Sequence, residues 1–266
     1  MGFTVRNLNV DYDIKGEGKP IVILHKSMIG RIEPIFKEKT GWKRIYVNYP
    51  GIGKSEVGNN IESSQDILEI LLDFIELMTG QEEFLLIGYS YGSYLARGIL
   101  NRKFYQVKGI ALICPVIFAE RDKRNILTND IFFKDEEFIK TLTDEEAEGI
   151  SNYVVQNKFV WERAQELERG DTNTINIAFY NRLKAKSRYE YDFDVDDLPM
   201  PFEGPTLILL GKQDDVVGYK DAWNTFHNYP RATFAILDMA GHNLDVEQGI
   251  LFHELIADWI KRVELL

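Results

Sequence analysis

Six short apolar runs punctuate the chain: PIVILH, RIYVNYP, EFLLIGYS, VKGIALICP, PTLILLG and ATFAILDMAG. Most are continuous and rich in β-branched residues, as expected of strands buried on both faces. Ahead of them, FTVRNLNVDYDIKGEGKP reads as two short strands joined by a turn, with GEGKP as punctuation at its end. Helical patterns lie between the runs. In SSQDILEILLDFIELMTG, Ile67, Leu68, Leu71, Leu72 and Ile75 recur at helical spacing. Ser63 or Ser64 is placed to cap that helix and Gly80 to stop it. DVEQGILFHELIADWIKRVE is amphipathic in the same way. Strands alternating with helices predict an α/β fold: a mostly parallel central sheet with helices on both faces.

The alternation breaks between about Val116 and Pro201, a stretch without a convincing buried strand. Helical pieces such as TDEEAEGISNYVVQ occur there, with Thr143 and Glu146 spaced as a capping box. Such a length is too great for a plain connection. The pattern therefore predicts a core built from residues 1–116 and 201–266, with 117–200 inserted as a helical cap over one edge of the sheet. The insertion is rich in aromatics, among them Phe132, Phe133, Phe138, Tyr153, Phe159, Trp161, Phe179 and Tyr180. The simplest expectation is that most of these pack the insertion onto the core and a few line a pocket.

Composition narrows the class. With 266 residues, 45% apolar and 27% charged, the chain can bury a substantial core. A net charge of −11 argues against a nucleic-acid partner, since nothing offsets a phosphate backbone. Cys114 is the only cysteine, which excludes an intrachain disulfide, and its apolar setting marks it as a small buried hydrophobe. MGFTVRNLNV has no apolar stretch of the secretory kind, and Arg6 stands where a myristoylation site wants Ser or Thr. No apolar run reaches bilayer-spanning length. The expectation is a cytoplasmic protein with no membrane partner; the sequence sets no oligomeric state.

Chemistry enters at FLLIGYSYGSYLA, where a predicted strand ends in Gly-x-Ser-x-Gly and a helical pattern follows. A sharp strand-to-helix turn lifts Ser90 clear of the sheet, and side chains at 88 and 92 would strike neighbouring backbone, so glycines sit there. Serine needs a base to become a nucleophile. Of the four histidines, His242 lies just past the last strand in DMAGHNLD, where a loop at the sheet edge reaches Ser90. His25 follows an early strand, while His227 and His253 fall in predicted helices, where packing or surface roles suffice. A base of this kind needs a carboxylate to fix its tautomer, and LILLGKQDDVVG offers two neighbours, Asp214 and Asp215. Tight metal-ligand spacings are absent, and no cofactor is expected.

GYSYG, GKQDDVV and AGH in the order Ser…Asp…His resemble the α/β-hydrolase superfamily, and the likeness runs from about residue 10 onward. The resemblance implies Asp214, not Asp215, as the acid, because the family pattern Gly-Lys/Arg-x-Asp-x-x-Val places it there. NYPGIGKSE is similar to the family's structural loop, with Asn48 where Asp is usual and Gly51 and Gly53 at tight turns. LHKSMIG departs from the family's His-Gly-x, since Lys26 replaces the glycine. By matching positions, the oxyanion donors would be the backbone N–H groups of Ser27 and Tyr91. Three readings stay open: a rebuilt loop with Ser27 in place, a weak enzyme, or Lys26 as a cation for an acidic substrate. His25 and Lys26 are thus candidate substrate contacts.

The implied activity is a serine hydrolase cleaving a small acyl ester or thioester through an acyl-enzyme. Carbon–carbon bond hydrolysis, acyl transfer on the same three residues, and a non-catalytic ligand-binding protein of the same fold are the alternatives. Ser90 contradicts dehalogenases and epoxide hydrolases, which carry aspartate at the elbow, and LHKSMIG lacks the His-Gly-Gly-Pro-Gly loop of proline iminopeptidases.

Overall fold

A computed structural model describes residues 2–126, 131–169, 173–185 and 188–265. Strands β1 (Gly2–Val5), β2 (Leu8–Lys15), β3 (Lys19–Leu24), β4 (Trp42–Val47), β5 (Phe84–Tyr89) and β6 (Val107–Ile113) come first. β7 (Phe133–Lys134) and β8 (Val155–Gln156) form a separate small ladder, and β9 (Thr206–Gly211) and β10 (Ala232–Leu237) complete the main sheet. That sheet has eight strands in the order β1-β2-β4-β3-β5-β6-β9-β10. β1 and β2 enter antiparallel, and every neighbouring pair from β4 to β10 is parallel.

The helices are α1 (Ile29–Ile32), α2 (Ser64–Thr79), α3 (Tyr91–Arg102), α4 (Glu136–Ile139), α5 (Asp144–Ile150), α6 (Lys158–Glu168), α7 (Ile177–Ala185), α8 (Leu244–Glu247) and α9 (Gly249–Glu264). Ser63 caps α2, and its backbone N–H donates in return to the Asp66 carboxylate, a complete capping box. The Ser64 hydroxyl points inward instead, donating to the Tyr189 carbonyl and meeting the Tyr91 hydroxyl. The Thr143–Glu146 capping box opens α5 as its spacing predicts. No helix among the described residues is long and apolar enough to cross a membrane.

The apolar runs form the interior. Ile21 to Leu24, Leu85 to Ile87 and Leu207 to Leu210 are all buried, sandwiched between helices on both sheet faces. The strand order places β4 and β5 on opposite sides of β3, so the connections leaving β3 and β5 diverge and open a crevice at their carboxyl ends. Leu24 and Gly88 are paired at that point.

Residues between β6 and β9 carry α4 to α7 and one feature that the pattern did not show, the parallel pair of β7 and β8. Two-residue strands are too short to produce a period. Part of this segment has its own apolar cluster, in which Tyr153, Val155 and Val160 pack with Val246 of α8. Phe179, Tyr180 and Leu183 of α7 instead join the main core. Of the aromatics named above, Phe132, Phe133 and Phe159 are exposed, whereas Tyr153, Phe179 and Tyr180 are buried.

Candidate active site

Ser90 stands between β5 and α3 with φ 53° and ψ −119°, a conformation that costs a non-glycine residue roughly 1–3 kcal/mol. The neighbouring glycines show why the turn is so tight. A Cβ on Gly88 would lie 2.5 Å from the Gly92 carbonyl oxygen, and one on Gly92 would lie 3.0 Å from that of Leu24. The Ser90 N–H donates to the Ile113 carbonyl at 2.8 Å, which anchors the turn to β6.

His242 follows β10, and its ring bridges two side chains from distant parts of the chain. The Ser90 hydroxyl lies 2.9 Å from Nε2, and Nδ1 lies 2.9 Å from Oδ2 of Asp214. With the ring proton on Nδ1, the serine donates to Nε2 and Nδ1–H donates to the carboxylate. Asp214 is fully buried, and its other oxygen accepts the N–H groups of Val216 and Val217 at 2.8 and 2.9 Å. Burial alone would raise its pKa, but the His242 contact and these amides outweigh burial and hold it below the usual carboxylate value. Asp215 is partly exposed and makes no such contact; its carbonyl accepts from Arg121.

Two residues brace the histidine from behind. The Tyr89 hydroxyl donates to the His242 carbonyl at 2.7 Å, and its ring lies 5.4 Å from the imidazole. Buried Glu247 accepts the Gly241 N–H on one oxygen and the Val154 N–H on the other, both at 2.6 Å. It thereby staples the histidine loop to the end of β8. Burial pushes its pKa up to about 7 against the pull of those two amides. Neither residue was singled out in the sequence, because Tyr89 belongs to a strand pattern and Glu247 to an amphipathic one. Cys114, Asp214 and His242 are the one grouping among the described residues whose donor atoms converge as a metal would require, within 4.8 Å. Each is engaged: the thiol lies 3.4 Å from the His242 carbonyl, and burial raises its pKa, opposing the thiolate a metal needs.

The loop after β3 departs from expectation. Lys26 does not line the cavity beside Ser90. Its ammonium pairs with Asp11 at 2.9 Å and Asp13 at 3.1 Å on β2, and its N–H donates to Asn48 at 2.9 Å. Asn48 in turn donates to Asp11 at 3.0 Å. In this structure the charge of Lys26 is directed to two carboxylates of the sheet and not to the space beside Ser90. The strain also falls one residue earlier than the missing glycine suggests: His25 has φ 126°, while Lys26 opens a 3-10 turn over Lys26–Met28. The Ser27 N–H, the expected donor, donates to Nδ1 of His25 at 3.1 Å. Tyr91 is the first residue of α3, so its N–H has no partner within the helix, and the residue lines the space beside Ser90.

Ser90, His25 and His242 open on a cavity of about 410 Å³. Its walls are Tyr49, Tyr91, Tyr180 and Tyr189 with Ile52, Ile175 and Ile177. The tyrosine rings pack edge-on and stacked, with Tyr91 and Tyr189 4.4 Å apart. Of the insertion aromatics named from sequence, Tyr180 alone is in this wall. Tyr49, Tyr91 and Tyr189 lie far apart in the chain and share no local pattern.

Comparison with known proteins agrees with this architecture. A family model described as alpha/beta hydrolase fold matches residues 27–247. An alpha/beta superfamily hydrolase from Oenococcus oeni is 24% identical with a TM-score of 0.86, covering 99% of both chains. An esterase from Exiguobacterium antarcticum superposes with a TM-score of 0.68 at 17% identity, covering 98% of both chains. A meta-cleavage product hydrolase from Pseudomonas fluorescens gives 0.65 at 17% identity over 98% of this chain and 97% of the other. No curated protein matches the sequence significantly.

Proposed function

The chain belongs to the α/β-hydrolase fold family, and from that premise we propose that it is a serine hydrolase cleaving a small acyl ester or thioester. The observation that supports this reading is the run of two 2.9 Å contacts from Ser90 through His242 to Asp214. Ser90 Oγ attacks the acyl carbon while Nε2 of His242 takes its proton. Asp214 holds Nδ1–H and stabilises the imidazolium that forms. The same proton then goes to the departing alcohol or thiol as the acyl–oxygen or acyl–sulfur bond breaks. Water, activated by the freed Nε2, attacks the acyl-enzyme and releases the acid.

The developing oxyanion is met by the N–H of Tyr91 at the positive end of α3. A second donor, the Ser27 N–H, becomes available when it exchanges His25 for substrate. Residues 117–200 act as the cap in this reading. In support, Tyr180, Asn181, Lys184 and Tyr189 from that segment line the same cavity as Ser90.

The test is labelling with a fluorophosphonate probe. The folded protein is expected to take up one equivalent at Ser90 and Ser90→Ala none, with the melting temperature nearly unchanged. A folded wild-type protein that resists the probe would remove the hydrolase reading.

A further inference from the structure

Ser90 faces a second cavity, of about 510 Å³, on the far side of Lys184 and Tyr189, which line both spaces. Its character differs from the tyrosine-walled one. Arg121, Arg124 and Lys184 line it, and none of the three has a carboxylate partner among the described residues. The Arg124 guanidinium donates only to the carbonyls of Phe118, Ala119 and Val216. Arg121 reaches the Asp215 carbonyl at 3.5 Å. The Lys184 ammonium, exposed on the shared wall, lies 5.5 Å from the Tyr189 ring.

The carboxylates on the same rim do not cancel this charge. Glu120 and Glu190 share the Lys123 ammonium at 3.3 and 3.4 Å, which leaves Asp122 against three cations. Arg124 also feels the charges of Asp214 and Asp221, whereas Lys184 feels only burial and the neighbouring cations Arg124 and Arg121. Desolvation, then repulsion from Arg124 and Arg121, holds Lys184 below the usual lysine pKa, and the opposite charge of an anion bound there would offset that repulsion.

We propose that this cavity is a subsite for a single negative charge carried by the substrate, a carboxylate joined by a short linker to the scissile ester, with Lys184 as its contact. The inference rests on Ser90 as nucleophile for its placement. The apolar part of the substrate occupies the tyrosine-walled cavity and the charged part crosses Lys184 into the second. One ammonium without an ion pair on the shared wall, Lys184, suits a monoanion better than a phosphate dianion.

Binding to Ser90→Ala tests the subsite without requiring turnover. Two matched pairs place the charge on either side of the ester: the p-nitrophenyl monoester of glutaric acid against its methyl ester, and 4-acetoxybenzoate against methyl 4-acetoxybenzoate. In at least one pair the anion is expected to bind about tenfold tighter than its neutral partner, less so as salt rises. Ser90→Ala/Lys184→Gln should lose that preference and still bind the neutral compound, which also reports that it is folded. Equal binding within both pairs, or a preference that survives Lys184→Gln, would overturn the subsite. Wild-type protein that binds the anion yet hydrolyses no ester would sink the nucleophile reading and leave this one standing.

Discussion

Nδ1 of His25 accepts a hydrogen bond from the backbone N–H of Ser27 at 3.1 Å, and the Ser27 hydroxyl lies 2.6 Å from the same nitrogen. The imidazole therefore sits on the amide that the family pattern reserves for the oxyanion. Backbone strain at His25, φ 126°, accompanies the contact.

Replacing this residue by glycine removes the competing acceptor and suits the observed φ. His25→Gly is expected to raise kcat for a short p-nitrophenyl ester about threefold to tenfold, the worth of one hydrogen bond no longer broken before reaction. Steady-state kinetics read the effect, and an unchanged or lower kcat would mean that the Ser27 N–H takes no part.

The two neighbouring aspartates should separate sharply. Asp214→Asn leaves His242 without an anion and is expected to lower kcat about 1000-fold or more, because the favoured tautomer is lost. Asp215→Asn, which touches neither His242 nor Ser90, is expected to stay within about twofold. The reverse order would assign the acid to the wrong residue.

Lys26 is expected to matter through stability. Its side chain is 15% exposed and that of Asp11 7%, so Lys26→Met strands a largely buried carboxylate and should cost about 2–3 kcal/mol in urea unfolding. Burial raises the Asp11 pKa, but the Lys26 bond and charge and the Asn48 bond outweigh it, leaving it below the usual value. Stability from this pair is thus present above the ordinary carboxylate pKa and lost as pH falls through the folded one. In Lys26→Met that acid loss should shrink, and Lys26→Met/Asp11→Asn should recover part of the cost. Additive losses in the double variant would refute the pairing.

Glu247 sets the opposite trend. Its folded pKa is raised to about 7, so the folded chain holds this proton more tightly than the unfolded chain. Its contribution is complete below the ordinary glutamate value and is lost as pH climbs through about 7. The urea midpoint of the wild-type protein should decline between about pH 5 and 8, and Glu247→Gln should flatten that decline. A slope unaltered by the substitution would show that other groups set it.

Much of the framework was legible because its signals are local. Apolar runs such as Ile21–Leu24 and Leu207–Leu210 read as strands on their own, and Gly88 and Gly92 flank Ser90 within five residues. The place after a strand points to His242 and to the pair Asp214 and Asp215, and only the family resemblance separates that pair; the structure puts Asp214 beside His242. What escaped depends on contacts between remote segments. Nothing near Lys26 announces that Asp11 and Asp13 lie within reach of its ammonium. The tyrosine wall gathers Tyr49, Tyr91, Tyr180 and Tyr189 from separate elements, and Glu247 looks like any polar position of an amphipathic stretch. Such groupings exist only once the strand order has brought the loops after β3, β5 and β10 to one edge.

Ser90 and His242 are 152 residues apart in the chain. During synthesis, β5 and α3 leave the ribosome long before β10 does, so a nascent chain carries Ser90 without Asp214 or His242. The Ser90–His242–Asp214 arrangement therefore arrives late and all at once, when the final parallel pairing is made, and on the proposed function a refolding sample should regain helical signal well before it turns over its first ester.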